Sequence, residues 1–133
     1  MMKGFTIVEL MVTVLIVAIL AAAAIPRFRG RVDAAKWSEG KAVMGSVATA
    51  IRVYIVMNER DFKAVPTLSD LGIEPRVLDG TYFKGGDSGT GDFSWVINSS
   101  KPLDFLITTT APAGITTPSE VALNANGQWT ITP

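Results

Sequence analysis

The sequence predicts an α+β fold: a long N-terminal helix, half membrane-spanning and half amphipathic, packed by a small, mostly antiparallel β-sheet. Three observations predict it. Residues 5–25 form an apolar run carrying a single charge. Residues 26–62 repeat apolar side chains at three- and four-residue spacing. From residue 63 onward the texture changes, with six of the seven prolines and most of the glycines set between short alternating apolar and polar stretches. A chain of 133 residues fits one folded body. Its mean hydropathy of +0.34 is high for an ordinary soluble chain, so one segment must carry the excess.

Composition removes much chemistry before any motif is read. There is no cysteine, hence no disulfide, thiol nucleophile or thiolate metal site. There is no histidine, hence no imidazole base and none of the usual zinc ligands. The 12 basic and 12 acidic side chains cancel, so no general attraction for nucleic acid is expected. The cancellation hides an asymmetry. Residues 1–60 sum to +4 and residues 61–133 to −4.

After Met1-Met2-Lys3-Gly4, the run Phe5–Ile25 has 21 residues, and Glu9 is its one charge. As a helix it would be about 32 Å long, enough to cross the hydrocarbon core of a bilayer. Ala21–Ala24 could serve a secretory cleavage site, but an acidic residue near the start of the apolar core is atypical of such signals. A plain membrane anchor would more naturally lack Glu9, because a carboxylate at mid-membrane costs about 2.5–3.5 kcal/mol on insertion scales. A lone carboxylate in an apolar helix needs a partner, and no side chain of the same chain is expected within reach of Glu9. Glu9 could instead snorkel to the headgroups from near the helix end.

The run Lys3-Gly4-Phe5-Thr6-Ile7-Val8-Glu9-Leu10-Met11, followed by the apolar stretch and Pro26, resembles the type IV pilins and the related pseudopilins of type II secretion. The resemblance covers about the first 60 residues, the rest agreeing in general layout. It implies a leader, residues 1–4, that a prepilin peptidase removes after Gly4 on the cytoplasmic side. It also implies N-methylation of the new terminus, Phe5. Phe5, Glu9 and Pro26 are then the expected assembly residues. The α-amine of Phe5 stays charged after methylation, and Glu9 of one subunit is expected to meet that amine on its neighbour. The implied partners are copies of the same chain, the peptidase, the inner-membrane assembly machinery and, before assembly, the lipid bilayer. The subunit is expected first as a single-pass inner-membrane protein and then in an extracellular fibre. Charge counting disagrees with that topology, since Arg27, Arg29, Arg31 and Lys36 outweigh Lys3 and would hold the body inside.

Pro26 lacks an N–H to offer the carbonyl of Ala22, so the helix is expected to kink or loosen there, with Gly30 as a second weak point. Arg27, Arg29 and Arg31 could meet phosphate, but a solvated or intersubunit face is the plainer reading. Trp37, Met44, Val47, Ala48, Ile51, Tyr54 and Ile55 form the stripe on which the body should pack. Lys36, Glu39, Lys41, Arg52 and Glu59 fall largely off it. Aromatics at that spacing, with Phe5, Phe28 and Phe62, raise electron conduction along a fibre; core packing is the ordinary reading.

Residues 63–133 make a body too small to be secure without the helix beneath it. Pro66–Gly72 reads as a turn or short helix ending at Gly72. Strands are expected at Thr81–Phe83, Phe93–Asn98, Asp104–Thr110, Val121–Asn124 and Gln128–Thr132. The last two should join through a three-residue loop, Ala125-Asn126-Gly127. That loop pairs Leu123 with Trp129 and Val121 with Ile131, whereas a two-residue Asn126-Gly127 turn would split the apolar sets between faces. Against the family pattern, the chain cannot close a C-terminal disulfide, and it shows no acidic, Pro-Trp-Gly calcium signature. The loop Gly85–Asp92 could gather calcium oxygens from Asp87 and Asp92 but lacks EF-hand spacing.

No catalytic residue, cofactor or metal site is expected. The function implied by the resemblance is a structural pilin that polymerises through its N-terminal helix. The alternatives are a type II secretion pseudopilin or minor pilin, or a membrane-anchored binding module that never polymerises. A hydrolase working through Asp87 and Asp92 is disfavoured, because a Gly-rich loop gives carboxylates no rigid support.

Overall fold

The computed structural model describes residues 4–133, apart from the side chains of residues 26, 27 and 29. Met1–Lys3, part of the expected leader 1–4, lie outside the described residues. The chain divides into two compact units, the first ending at Ala34 and the second comprising Ala35–Pro133.

Helix α1 (Ile7–Met57) contributes to both units. The helix continues past Pro26 and Gly30 without a break. The proline removes one backbone donor but does not end the element. In the first unit the apolar side chains are exposed on every face: Ile7, Leu10, Leu15, Ile16, Ile19 and Leu20 are all open. Thr6, Glu9 and Thr13 are polar side chains of this segment that are bonded locally. Thr13 Oγ1 donates to the carbonyl of Leu10 at 2.8 Å, and Glu9 is considered below.

The second unit packs one face of α1 against a four-stranded antiparallel sheet, β1 (Phe93–Ser100), β2 (Leu103–Thr110), β3 (Glu120–Asn124) and β4 (Trp129–Thr132). The strands lie in chain order, a simple meander. All seven residues of the expected helical stripe are buried. From the sheet, Phe93, Trp95, Ile97, Phe105, Ile107, Val121 and Leu123 meet them. Period-two alternation places these on one side, as β1 shows with buried and exposed residues in strict turn from Phe93 to Ile97.

The register places the core residues in rows across the sheet. Trp95 pairs with Ile107, Ile107 with Leu123 and Leu123 with Trp129; Phe93 pairs with Thr109, Thr109 with Val121 and Val121 with Ile131. The last hairpin has the expected three-residue loop. Asn124 N–H donates to Gln128 O at 3.1 Å, Gly127 N–H to Asn124 O at 3.0 Å, and Gly127 takes φ +78°.

One expected strand is absent. Thr81–Phe83 is a bend, because its donors go to the helix instead of a neighbouring strand. Glu39 Oε1 accepts from Tyr82 N–H at 2.8 Å and Phe83 N–H at 3.0 Å. These two bonds, the Phe83 bond foremost, hold the Glu39 carboxyl below its ordinary pKa. The Phe83 ring lies over Gly40, and its centroid is 5.1 Å from that of Trp37 and 5.8 Å from that of Phe93. A short 3₁₀ turn, Pro75–Leu78, precedes the bend. The Pro66–Gly72 segment is a turn, with Gly72 at φ +68° and Asp70 accepting from Thr67 N–H and Oγ1–H, each at 2.9 Å.

Candidate functional site

Of the residues singled out for processing and assembly, Gly4, Phe5 and Glu9 lie at the start of α1. Gly4 and Phe5 precede the helix and are exposed, and Phe5 keeps 79% of its surface open. Thr6 precedes the first helical residue and caps it. Its Oγ1 accepts the Glu9 N–H at 3.2 Å, while Glu9 Oε2 accepts from Thr6 N–H at 3.3 Å and from Thr6 Oγ1 at 3.2 Å. This is a capping box: a threonine and the glutamate three residues on satisfy each other's orphan donors.

The capping box corrects the reading of Glu9 as a side chain with nothing of its own chain in reach. Its carboxylate is held by Thr6, two neutral donors, and also favours the positive end of the helix dipole. The signal was present as Thr6-Ile7-Val8-Glu9, a T-x-x-E pattern immediately before an apolar run. Neutral donors orient the carboxylate without cancelling its charge. The geometry therefore presents an oriented carboxylate one helical turn from Phe5, on a segment whose other exposed side chains as far as Ile25 are apolar apart from Thr6 and Thr13.

Pro26 is not part of this arrangement. It lies 17 residues beyond Glu9 in sequence, about 25 Å along a helix. Phe28 and Arg31 are exposed on the same helix.

The Gly85–Asp92 loop does not gather carboxylates around a common centre. Asp87 Oδ1 accepts from Leu68 N–H at 2.6 Å, Asp92 Oδ2 from Lys84 N–H at 2.6 Å, and neighbouring Asp79 Oδ1 from Gly85 N–H at 2.9 Å. Each acid organises backbone. Among the described residues, no group of three or more acidic side chains could hold a metal ion.

Helix α1 is long and apolar enough, by length and composition, to cross a membrane. Residues 1–25 match the family model for the prokaryotic N-terminal methylation motif. The chain is similar to type II secretion system core protein G of Pseudomonas aeruginosa, 40% identical over 56 residues, which cover 42% of this chain and 39% of that protein. It is also similar to the fimbrial protein EcpC of Eikenella corrodens, 26% identical over 146 aligned positions, covering 88% of this chain and 95% of that one. No solved structure matches. The methylation motif, these two relatives and a long helix packed by a four-stranded sheet are together consistent with the type IV pilin and type II secretion pseudopilin family.

Proposed function

We propose that the chain is a structural subunit cut after Gly4, N-methylated at Phe5, and polymerised through its N-terminal helix into a type IV pilus. The observation that carries this reading is the start of α1. An isolated helix that is apolar on all faces needs an apolar surrounding, first lipid and then the helices of other copies. Glu9 is the one charge on that surface, and its lowest-cost partner in a lipid-free bundle is the cationic Phe5 amine of a neighbouring copy. Before assembly the same glutamate is tolerable near the headgroups, so pairing acts when a subunit leaves the membrane. The segments then divide the work: leader 1–4, membrane and assembly segment 5–25, amphipathic helix 26–62, and a β-rich body 63–133 on the fibre surface. Prepilin peptidase and inner-membrane assembly machinery are the partners this sequence of events requires.

A second reading is favoured by the 40% identity to a secretion core protein, which falls within a 56-residue stretch. There the same chemistry builds a short secretion fibre instead of a long pilus. Two measurements test the proposal. A mass spectrum of the mature chain should give a chain beginning at N-methyl-Phe5, and a terminus beyond Ala24 would sink both readings. Long fibres composed mainly of this chain support the pilus; processed chain with short or no fibres supports the pseudopilin.

A further inference from the structure

One face of α1 carries an open groove where the apolar span ends. Leu20, Ala23, Ala24, Phe28 and Arg31 line it, around a volume of about 370 Å³. Their spacing of three, one, four and three residues keeps all five on one side of a helix. The two alanines leave the hollow, and the larger Leu20 and Phe28 wall it. From Leu20 to Arg31 the groove follows the helix for about 16 Å. With residues 5–25 across the bilayer, Leu20, Ala23 and Ala24 lie at the far edge of the hydrocarbon, and Phe28 and Arg31 lie at headgroup depth. Helical side chains lean toward the N-terminus, which turns the Arg31 guanidinium back toward the bilayer.

Arg31 differs from the later cations of α1, which are engaged with the body. Lys36 Nζ donates to Gly114 O at 3.0 Å, Arg52 Nη2 donates to Ala125 O at 3.2 Å, and Lys41 Nζ lies 5.7 Å from the Trp129 ring centroid. Among the described residues, none bonds to or pairs with the Arg31 guanidinium. The stretch 20–36 holds four cations, Arg27, Arg29, Arg31 and Lys36, against one anion, the buried Asp33. The local surplus of positive charge favours an anion at this depth.

We propose that this groove seats an anionic phospholipid of the leaflet into which the span emerges, its phosphate on Arg31 and the start of an acyl chain along Ala23 and Ala24. A guanidinium offers a phosphate paired, charge-assisted N–H···O bonds, and the walls from Leu20 to Phe28 offer the chain apolar contact. The groove changes from apolar to cationic in the same order, and at the same depth, as the lipid changes from chain to headgroup. A second copy in the same membrane is a poorer occupant. With the helices parallel, its Arg31 meets Arg31 at one depth, like charge against like, and its Asp33 is buried in its own chain. Glu9, the one carboxylate of residues 5–25, lies 22 residues from Arg31, about 33 Å along the helix. The proposal rests on the membrane reading of residues 5–25, and on neither cleavage after Gly4 nor polymerisation.

The test is native mass spectrometry of the full chain, extracted from membranes in detergent and given phosphatidylglycerol or phosphatidylcholine with identical acyl chains. The chain should retain phosphatidylglycerol about tenfold better than phosphatidylcholine, and Arg31→Gln should abolish that preference. Ala24→Leu fills the hollow with a side chain that membrane helices carry readily, and should cut retention at least about threefold. Ala22→Leu, on the opposite side of the helix, should leave retention unchanged. Inorganic phosphate at the same concentration should not be retained. Equal retention of the two lipids by a membrane-borne chain overturns the site and leaves the membrane reading standing, whereas recovery of the chain outside the membrane fraction overturns both. A preference that survives Arg31→Gln, retention indifferent to Ala24→Leu, or phosphate held as well as the lipid overturns the groove as a lipid seat. A homodimer that excludes the lipid and is lost in Ala24→Leu makes a second copy the occupant and overturns the lipid.

Discussion

Single residues decide how the body is held together. Gly40 leaves room for the Phe83 ring: a Cβ at position 40 would stand 2.8 Å from Phe83 Cζ. Gly40→Ala should therefore destabilise the detergent-held full chain by about 1–3 kcal/mol, the usual range for overpacking, read as a lower denaturant midpoint. Glu39→Ala leaves the Tyr82 and Phe83 N–H groups without their shared acceptor and should cost about 1–3 kcal/mol by the same measurement. Asp70 supplies a pH signature. Bonded to Lys63 Nζ at 2.8 Å and to Thr67 N–H and Oγ1, its carboxyl is lowered to about 2, the lysine bond being the largest cause. Its ordinary value is 3.8. A lowered carboxyl stabilises the folded form above the ordinary value and loses that contribution as pH falls toward about 2. An NMR titration should place the Asp70 midpoint near 2, and Asp70→Asn should flatten the stability change across that window. A midpoint near 3.8 would mean that the Thr67–Gly72 turn is not held as described.

At the scale of elements, periodicity was legible and local side-chain competition was not. The helical stripe from Trp37 to Ile55 and the register of the last hairpin follow from spacing alone, because burying one face leaves few alternatives. Thr81–Phe83 was misread as a strand. Its bend depends on Glu39, some 40 residues earlier in the chain, and no local pattern announces a carboxylate that takes two strand donors. The capping box was legible in principle from Thr6 and Glu9, but the charge of Glu9 drew the reading toward a distant partner. Shielding of the β1 edge by Ser88, Gly89 and Ala64 was not legible, since it is set by how two loops fold back. The last hairpin offers its own check. Gly127 at φ +78° has open space where a Cβ would go, so Gly127→Ala meets backbone strain and not a clash. It should cost about 1–2 kcal/mol, seen as a lower midpoint and faster amide exchange in β4.

For the whole molecule, the governing fact is an apolar helical surface with one oriented carboxylate near its start. Glu9 performs two separable tasks, capping the helix through Thr6 and carrying charge. Glu9→Leu removes both, Glu9→Gln keeps an acceptor for the capping box and drops the charge, and Thr6→Ala weakens the cap and keeps the charge. Removing the charge should ease residence in the membrane, so each Glu9 variant should accumulate there. Assembly should fail or slow in both, because the Phe5 amine of a neighbour would enter the fibre core unpaired, and stranding one member of a buried pair costs about 3–5 kcal/mol. The most direct measurement is therefore the ratio of fibre-borne to membrane-held chain in cells making Glu9→Gln. The account predicts normal membrane levels with fibres lost or greatly slowed, while Thr6→Ala still assembles; Glu9→Gln fibres of ordinary rate and length would contradict charge pairing as the basis of assembly.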